Sequence, residues 1–118
     1  MVEGRLNRAT FGDVHVVEAD DGSSALEVMT QYFEREGQLF DFVLMDFIMT
    51  RMNGPEAAQR MRKDLHFAGS IIGVTGNALP DDIAYFMESG ADCVVTKPLT
   101  NKKLMDAILL AKSKIMLL

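Results

Sequence analysis

Three short apolar runs most constrain what this 118-residue chain can fold into. They span residues 42–45, 70–74 and 93–96, and runs this short favour buried strands over helices. A β-branched run at residues 14–18 precedes them, and longer stretches with apolar side chains at helical spacing separate them. Such an alternation of buried strands and amphipathic helices predicts a parallel sheet with helices on both faces.

Turn and capping residues place the ends of the helices. Ser23 or Ser24 can cap a helix over residues 24–36, and Pro55 suits the first position of a helix that reaches about residue 65. A third helix is predicted from residue 80 to a glycine stop at Gly90, and Thr100 is predicted to cap the last one.

Composition limits the class of protein. The length suits one domain over residues 1–118, with residues 1–13 forming no clear element. The net charge of −5 argues against direct binding of nucleic acid, and no apolar run is long enough to span a membrane. Cys93 is the single cysteine, so an internal disulfide is excluded and a cytoplasmic location is expected.

The three strands in the middle of the chain each end at a polar residue, namely Asp46, Thr75 and Lys97. Because parallel strands point the same way, these residues are expected at one rim of the sheet. Asp46 lies too far before the next helix to cap it. Taken alone, Lys97 could be a solvated loop charge and Thr75 could cap a strand. Together they predict phosphoryl transfer onto Asp46, with Lys97 pairing the anion, Thr75 binding a phosphoryl oxygen, and Mg²⁺ neutralising charge.

The chain resembles the receiver domains of response regulators. The resemblance covers roughly residues 14–115 and rests on the segments 16–22, 42–46, 52–54, 74–78 and 89–98. It implies an α/β, flavodoxin-like, doubly wound parallel sheet of order 2-1-3-4-5, an order known from receivers of this kind. It also implies a signalling module and not an enzyme. Asp46 would accept a phosphoryl group from a histidine kinase or a histidine phosphotransfer protein, and Thr75 and Lys97 would couple this to loop and helix shifts. The sequence motifs are most similar to those of receivers attached to hybrid sensor kinases.

The N-terminus departs from the family pattern, because the first strand and helix are truncated or missing. Alignment places Glu3 at the acidic pair that holds Mg²⁺ in the family, so the predicted ligands are Asp46, the backbone carbonyl of Ile48, and Glu3. The missing strand would be the central one. The sequence could be a truncated or mis-spliced piece, the strands at 14–18 and 42–46 could pair directly, or a partner chain could donate a strand. A homodimer is a further expected possibility.

Three further positions differ from the family. Thr50 replaces a proline, Val94 stands where many receivers carry an aromatic switch residue, and the apolar Ile48 is predicted to shield an acyl phosphate from water. The alternative function is a degenerate receiver that acts as a non-phosphorylated docking or dimerisation module. A hydrolase of the haloacid dehalogenase type is disfavoured, because that class needs a second aspartate where Ile48 stands.

Overall fold

The computed structural model of the chain describes residues 19–36, 40–77 and 79–116. Within these ranges helices and strands alternate in the predicted order. The elements are α1 (Gly22–Glu36), β1 (Phe42–Asp46), α2 (Gly54–Lys63), β2 (Ser70–Thr75), α3 (Pro80–Glu88), β3 (Cys93–Thr96) and α4 (Asn101–Met116). The predicted strand at 14–18 and the segment 1–13 lie outside the described residues. No helix in the described ranges is both long enough and apolar enough to cross a membrane.

The strands form a parallel sheet in the order β1-β2-β3, which confirms the predicted α/β class. Asp46 at the end of β1 is paired with Val74, and Thr75 at the end of β2 is paired with Thr96. The carboxyl ends of the strands therefore lie at one rim, and Lys97 follows directly after β3. This register brings the three predicted site residues to the same edge of the sheet.

Apolar side chains cover both faces of the sheet, as the near-continuous apolar strands predicted. Residues of α1, α2 and α3 pack on one face, and α4 packs on the other. The first cluster includes Ala25, Met29, Val43, Met45, Ala57, Met61, Ile71 and Phe86, and the second includes Leu44, Ile72, Cys93, Leu104 and Ala107. Gly73 makes room for the Phe86 ring, since a Cβ there would lie 2.7 Å from it.

Polar side chains cap α1, α2 and α4, and one predicted cap is wrong. The Asn53 side chain accepts a hydrogen bond from the Glu56 amide before α2, and Thr100 Oγ1 accepts one from the Lys103 amide in α4, as predicted. In α1 the cap is neither Ser23 nor Ser24. Asp21 Oδ1 accepts a hydrogen bond from the Ser24 amide at 2.8 Å, and the helix begins at Gly22. A carboxylate there satisfies an amide that has no partner within the helix.

Arg62 joins three parts of the fold through its guanidinium group. Its N–H groups donate to the carbonyl oxygens of Phe67, Gly69 and Gly90, at 2.7 to 3.1 Å. Nη2 also lies 3.0 Å from Asp92 Oδ2. The same oxygen accepts a hydrogen bond from the backbone amide of Ile71 in β2. The side chain thereby ties α2 to the start of β2 and to the turn after α3, where Gly90 has a φ of 126°.

We expect Arg62→Met to lower the free energy of unfolding by about 3 kcal/mol, because it removes the donors of several partly buried acceptors and the cation beside Asp92. Urea unfolding followed by circular dichroism measures this change. Arg60→Met on the same helix is the matched control, since Arg60 makes only an exposed pair with Asp64 at 3.9 Å. That control should change stability by less than about 0.5 kcal/mol. Equal effects of the two substitutions would contradict the assigned role of Arg62.

Candidate functional site

The rim of the sheet brings Asp46 and Lys97 into direct contact. Lys97 Nζ lies 3.2 Å from Asp46 Oδ1, and the Asp46 side chain is 14% exposed while that of Lys97 is 43% exposed. The Lys97 amide also donates to the Thr75 carbonyl at 2.8 Å, which holds the start of the β3–α4 loop against β2. The rim therefore pairs a largely buried carboxylate with a partly exposed cation.

Thr75 reaches the same rim, but its hydroxyl group takes part in a local turn. Thr75 Oγ1 donates to the Asn77 carbonyl at 3.0 Å and accepts from the Asn77 amide at 3.1 Å. The residue is buried at the end of β2. The structure therefore brings Asp46 and Lys97 together as predicted, and it places Thr75 beside them with its hydroxyl proton used by Asn77.

The β1–α2 loop (residues 47–53) leads away from Asp46. The Phe47 amide donates to the Val74 carbonyl, and the Gly54 amide donates to the Phe47 carbonyl, both at 2.9 Å. The Phe47 ring contacts Phe86 edge-on, with a centroid distance of 5.7 Å. Both ends of the loop are thus held against β2 and α3, while Ile48 between them is 85% exposed.

Asp46 supplies an oxygen ligand of the kind that Mg²⁺ prefers. Within the described ranges there is no group of three or more His, Cys, Asp and Glu side chains that could hold a metal ion. Proteins usually bind Mg²⁺ through one or two carboxylates together with water and phosphate. A site to which the described residues contribute the Asp46 carboxylate fits this ion. Glu3 lies outside the described residues, and its role and that of the Ile48 carbonyl stay predictions.

Asp21 is a buried carboxylate that contacts the β1–α2 loop, and the sequence motifs did not indicate it as a site residue. Its Oδ2 lies 2.7 Å from Arg51 Nη2 and 2.8 Å from Arg51 Nε, and its Oδ1 caps α1. The hydrogen bond from the Ser24 amide, followed by that from Arg51, lowers the pKa of Asp21 below its ordinary value of 3.8. An aspartate just before an apolar helix is a capping signal, but nothing local indicated Arg51 as its partner.

This lowered pKa predicts a loss of stability in acid. Because the Asp21 pKa is lower in the folded chain than in the unfolded chain, its contribution to stability is complete above 3.8. The contribution decreases as the pH falls through the lower, folded value. We therefore expect acidification below pH 3.8 to lower the unfolding midpoint of the native chain more than that of Asp21→Asn. Thermal unfolding from pH 6 to about pH 2.5 tests this, and parallel curves would contradict it.

Solved receiver structures share this architecture. The chain superposes on the signal receiver domain of the NarL response regulator from Mycobacterium tuberculosis with a TM-score of 0.71 and 26% identity, covering 86% of this chain and 77% of that one. It superposes on the bacteriophytochrome response regulator RtBRR with a TM-score of 0.75 and 22% identity, covering 88% of this chain and 65% of that one. The second likeness, at its low identity, supports the fold alone.

Sequence comparison leads to the same family. The chain is 37% identical over 110 residues to the two-component response regulator ORR41 of Oryza sativa subsp. japonica, covering 93% of this chain and 80% of that protein. It is 37% identical over 82 residues to the sensor histidine kinase RcsC of Salmonella typhimurium, covering 70% of this chain but only 8% of the kinase. The family model for the response regulator receiver domain matches residues 3–109. The chain therefore belongs to the response regulator receiver domain family.

Proposed function

We propose that this receiver domain accepts a phosphoryl group on Asp46 from a phosphohistidine of a histidine kinase or a histidine phosphotransfer protein. The observation that carries the proposal is the contact between Asp46 and Lys97, with 3.2 Å between the carboxylate and ammonium groups. The position of Asp46 at the carboxyl end of a parallel strand, where α/β proteins place their chemistry, supports it further.

The chemical step is a transfer between two nucleophiles. A carboxylate oxygen of Asp46 attacks phosphorus, and a new O–P bond forms as the N–P bond of the phosphohistidine breaks. The electron pair of that bond returns to the imidazole nitrogen, which can take up a proton from water. Lys97 compensates the negative charge that the phosphoryl group brings to the rim, because its flexible side chain carries a compact charge.

Thr75 would couple the phosphoryl group to the structure. Its hydroxyl has one proton, which is donated to the Asn77 carbonyl. To donate to a phosphoryl oxygen, the hydroxyl must give up that bond and release the turn at Gly76 and Asn77. Phosphorylation would thus change the loop that leads into α3, which is how a local charge produces a larger rearrangement.

Mg²⁺ would be held by Asp46, the Ile48 carbonyl and Glu3. When bound, it neutralises the charge that develops on the transferred phosphoryl group. Replacing Glu3 distinguishes phosphoacceptance from the alternative, a receiver that only docks or dimerises. Glu3→Gln should abolish phosphorylation if this carboxylate holds the metal, and should leave partner binding unchanged if the chain acts only through docking.

The test of the proposal is the intact mass of the chain after incubation with acetyl phosphate, with Mg²⁺ and with a chelator. We expect a gain of one phosphoryl group that requires Mg²⁺. A folded chain, as judged by circular dichroism, that gains no phosphoryl group would contradict phosphoacceptance and favour the docking module. Transfer from a phosphorylated histidine phosphotransfer protein would then test the partner class.

Ile48 is expected to slow hydrolysis of the phosphorylated form. Ile48 lies two residues after Asp46 in the sequence, and its exposed apolar side chain would exclude water from the acyl phosphate. Ile48→Asn should therefore lose its phosphoryl group faster than the native chain, while Ile48→Val, which keeps an apolar group, should not. The decay of the phosphorylated mass with time measures both rates. Slower loss from Ile48→Asn would refute the shielding role.

A further inference from the structure

Arg51 has an unusual backbone conformation at the tip of the β1–α2 loop. Its φ is 58°, in the left-handed region, which residues with a Cβ rarely adopt and which glycine or asparagine usually fills. Contacts of the surrounding structure therefore have to offset the cost of this backbone conformation.

The guanidinium group of Arg51 binds the start of α1. Nε and Nη2 both contact Asp21 Oδ2, at 2.8 and 2.7 Å, and Nη2 lies 3.3 Å from Ser24 Oγ. The Asp21 side chain is only 5% exposed, and its other oxygen caps the helix. One buried carboxylate therefore joins the first turn of α1 to the tip of the loop that follows Asp46.

A backbone contact reinforces this junction independently. A Cβ at Gly22 would lie 3.0 Å from both the Cβ and the carbonyl oxygen of Met52. The first residue of α1 therefore packs directly against the residue after Arg51. The tip of the loop is held by an ion pair and by close packing on the same helix turn.

Other contacts hold the loop at its ends and in its middle, where Met49 packs against the apolar cluster on that face of the sheet. The Phe47 amide donates a hydrogen bond to β2, and the Gly54 amide donates one to the Phe47 carbonyl. Ile48, whose carbonyl is a predicted metal ligand, lies between these end contacts and the Arg51–Asp21 pair. The conformation of the loop beside Asp46 thus depends on the sheet and the apolar core, and at the tip of the loop on α1.

We propose that Arg51 is a positioning residue for phosphoryl acceptance, because its ion pair with Asp21 holds the β1–α2 loop in one conformation beside Asp46. This inference rests on the proposed function of Asp46. If the pair is broken, the loop samples other conformations, and the apparent affinity for Mg²⁺ falls with the fraction of chains that are competent.

Two measurements on a small set of variants test the inference. The first is the initial rate of phosphoryl incorporation from acetyl phosphate at several Mg²⁺ concentrations. The second is amide hydrogen exchange of the peptide that contains residues 47–53, measured without donor or metal. Arg51→Gln and Asp21→Asn each remove the pair, and asparagine at position 21 keeps an oxygen that can cap α1. Lys102→Gln, which removes an exposed pair with Asp106 on α4, is the matched control.

We expect Arg51→Gln and Asp21→Asn to raise the half-saturating Mg²⁺ concentration about fivefold, as suits the loss of one ion pair with an exposed partner. Both substitutions should speed amide hydrogen exchange in the loop peptide. At saturating Mg²⁺ the initial rate of phosphoryl incorporation should return close to the native value. Arg51→Lys should restore part of the effect, and the double variant should be no worse than either single one. Lys102→Gln should behave as the native chain.

Arg51→Gly separates the ion pair from the backbone conformation. Glycine adopts a positive φ without cost but carries no cation, so this variant should be impaired like Arg51→Gln. Native Mg²⁺ dependence and native exchange in Arg51→Gly or Arg51→Gln would overturn the inference while leaving Asp46 as the acceptor. A native chain that takes up no phosphoryl group would overturn the proposed function, and with it the role of Arg51.

Discussion

Replacement of Asp46 with asparagine is expected to abolish phosphoryl incorporation. The amide oxygen carries no charge and is a poor nucleophile, so no stable O–P bond forms at position 46. The side chain keeps its size, so the variant should remain folded at the end of β1. Loss of the pair with Lys97, whose side chain is 43% exposed, should change the unfolding free energy by no more than about 1 kcal/mol. Intact mass after treatment with acetyl phosphate and Mg²⁺ measures the effect.

Asp41→Asn is the matched control for this prediction. Asp41 precedes β1 at the opposite end of the strand and is exposed, so the same chemical change there leaves the rim intact. This control should take up one phosphoryl group at the native rate. Incorporation by Asp46→Asn at a rate comparable with the native chain would mean that another carboxylate is the acceptor, and peptide mapping would then locate it.

Gly54→Ala is expected to give a loss of stability as large as that of Arg62→Met. A Cβ at this position would lie 2.1 Å from the Asp46 carbonyl oxygen and 2.9 Å from the Phe86 ring. Neither neighbour can yield easily, since one is the backbone of β1 and the other is a fully buried side chain. Such overpacking should cost about 3 kcal/mol of unfolding free energy. It should also slow phosphorylation of the folded fraction, because relief of the clash moves Asp46.

Gly76→Ala is the control for that substitution at the same rim. Gly76 directly follows β2, and a Cβ there would meet no atom of the described residues within 4 Å. Urea unfolding should therefore show a loss of less than about 0.5 kcal/mol for Gly76→Ala. Equal stability of Gly54→Ala and the native chain would show that α2 shifts without cost, and would contradict the predicted overpacking.

Much of the fold could be predicted because its signals are local. The predicted ends of the elements lie within about two residues of those observed, which is the usual uncertainty of such boundaries. The local signals were strand length, helix periodicity, Pro55 and the glycine stop at Gly90. The capping prediction at α1 was wrong by two or three positions. Both Ser23 and Ser24 are common capping residues, and only the observed start at Gly22 makes Asp21 the cap.

The polar networks around the site were not predictable in the same way. Arg62 and Asp92 are 30 residues apart in sequence, and so are Arg51 and Asp21. Arg62 lies on a helix and Arg51 in a loop, where charged side chains are common. Nothing in the neighbouring sequence says which distant carboxylate or carbonyl group it will meet, because that depends on how the helices pack around the sheet.

Local sequence alone specified the alternation of strands and helices and the residues at which β1, β2 and β3 end. Parallel strands share a direction, so Asp46, Thr75 and Lys97 had to arrive at one rim. Two features depended on the tertiary fold: the contact between Asp46 and Lys97, and the pairing of Arg51 with Asp21. Hydrogen bonds and ion pairs form only within about 3 to 4 Å, and chain packing sets distances of that size between segments that are remote in sequence.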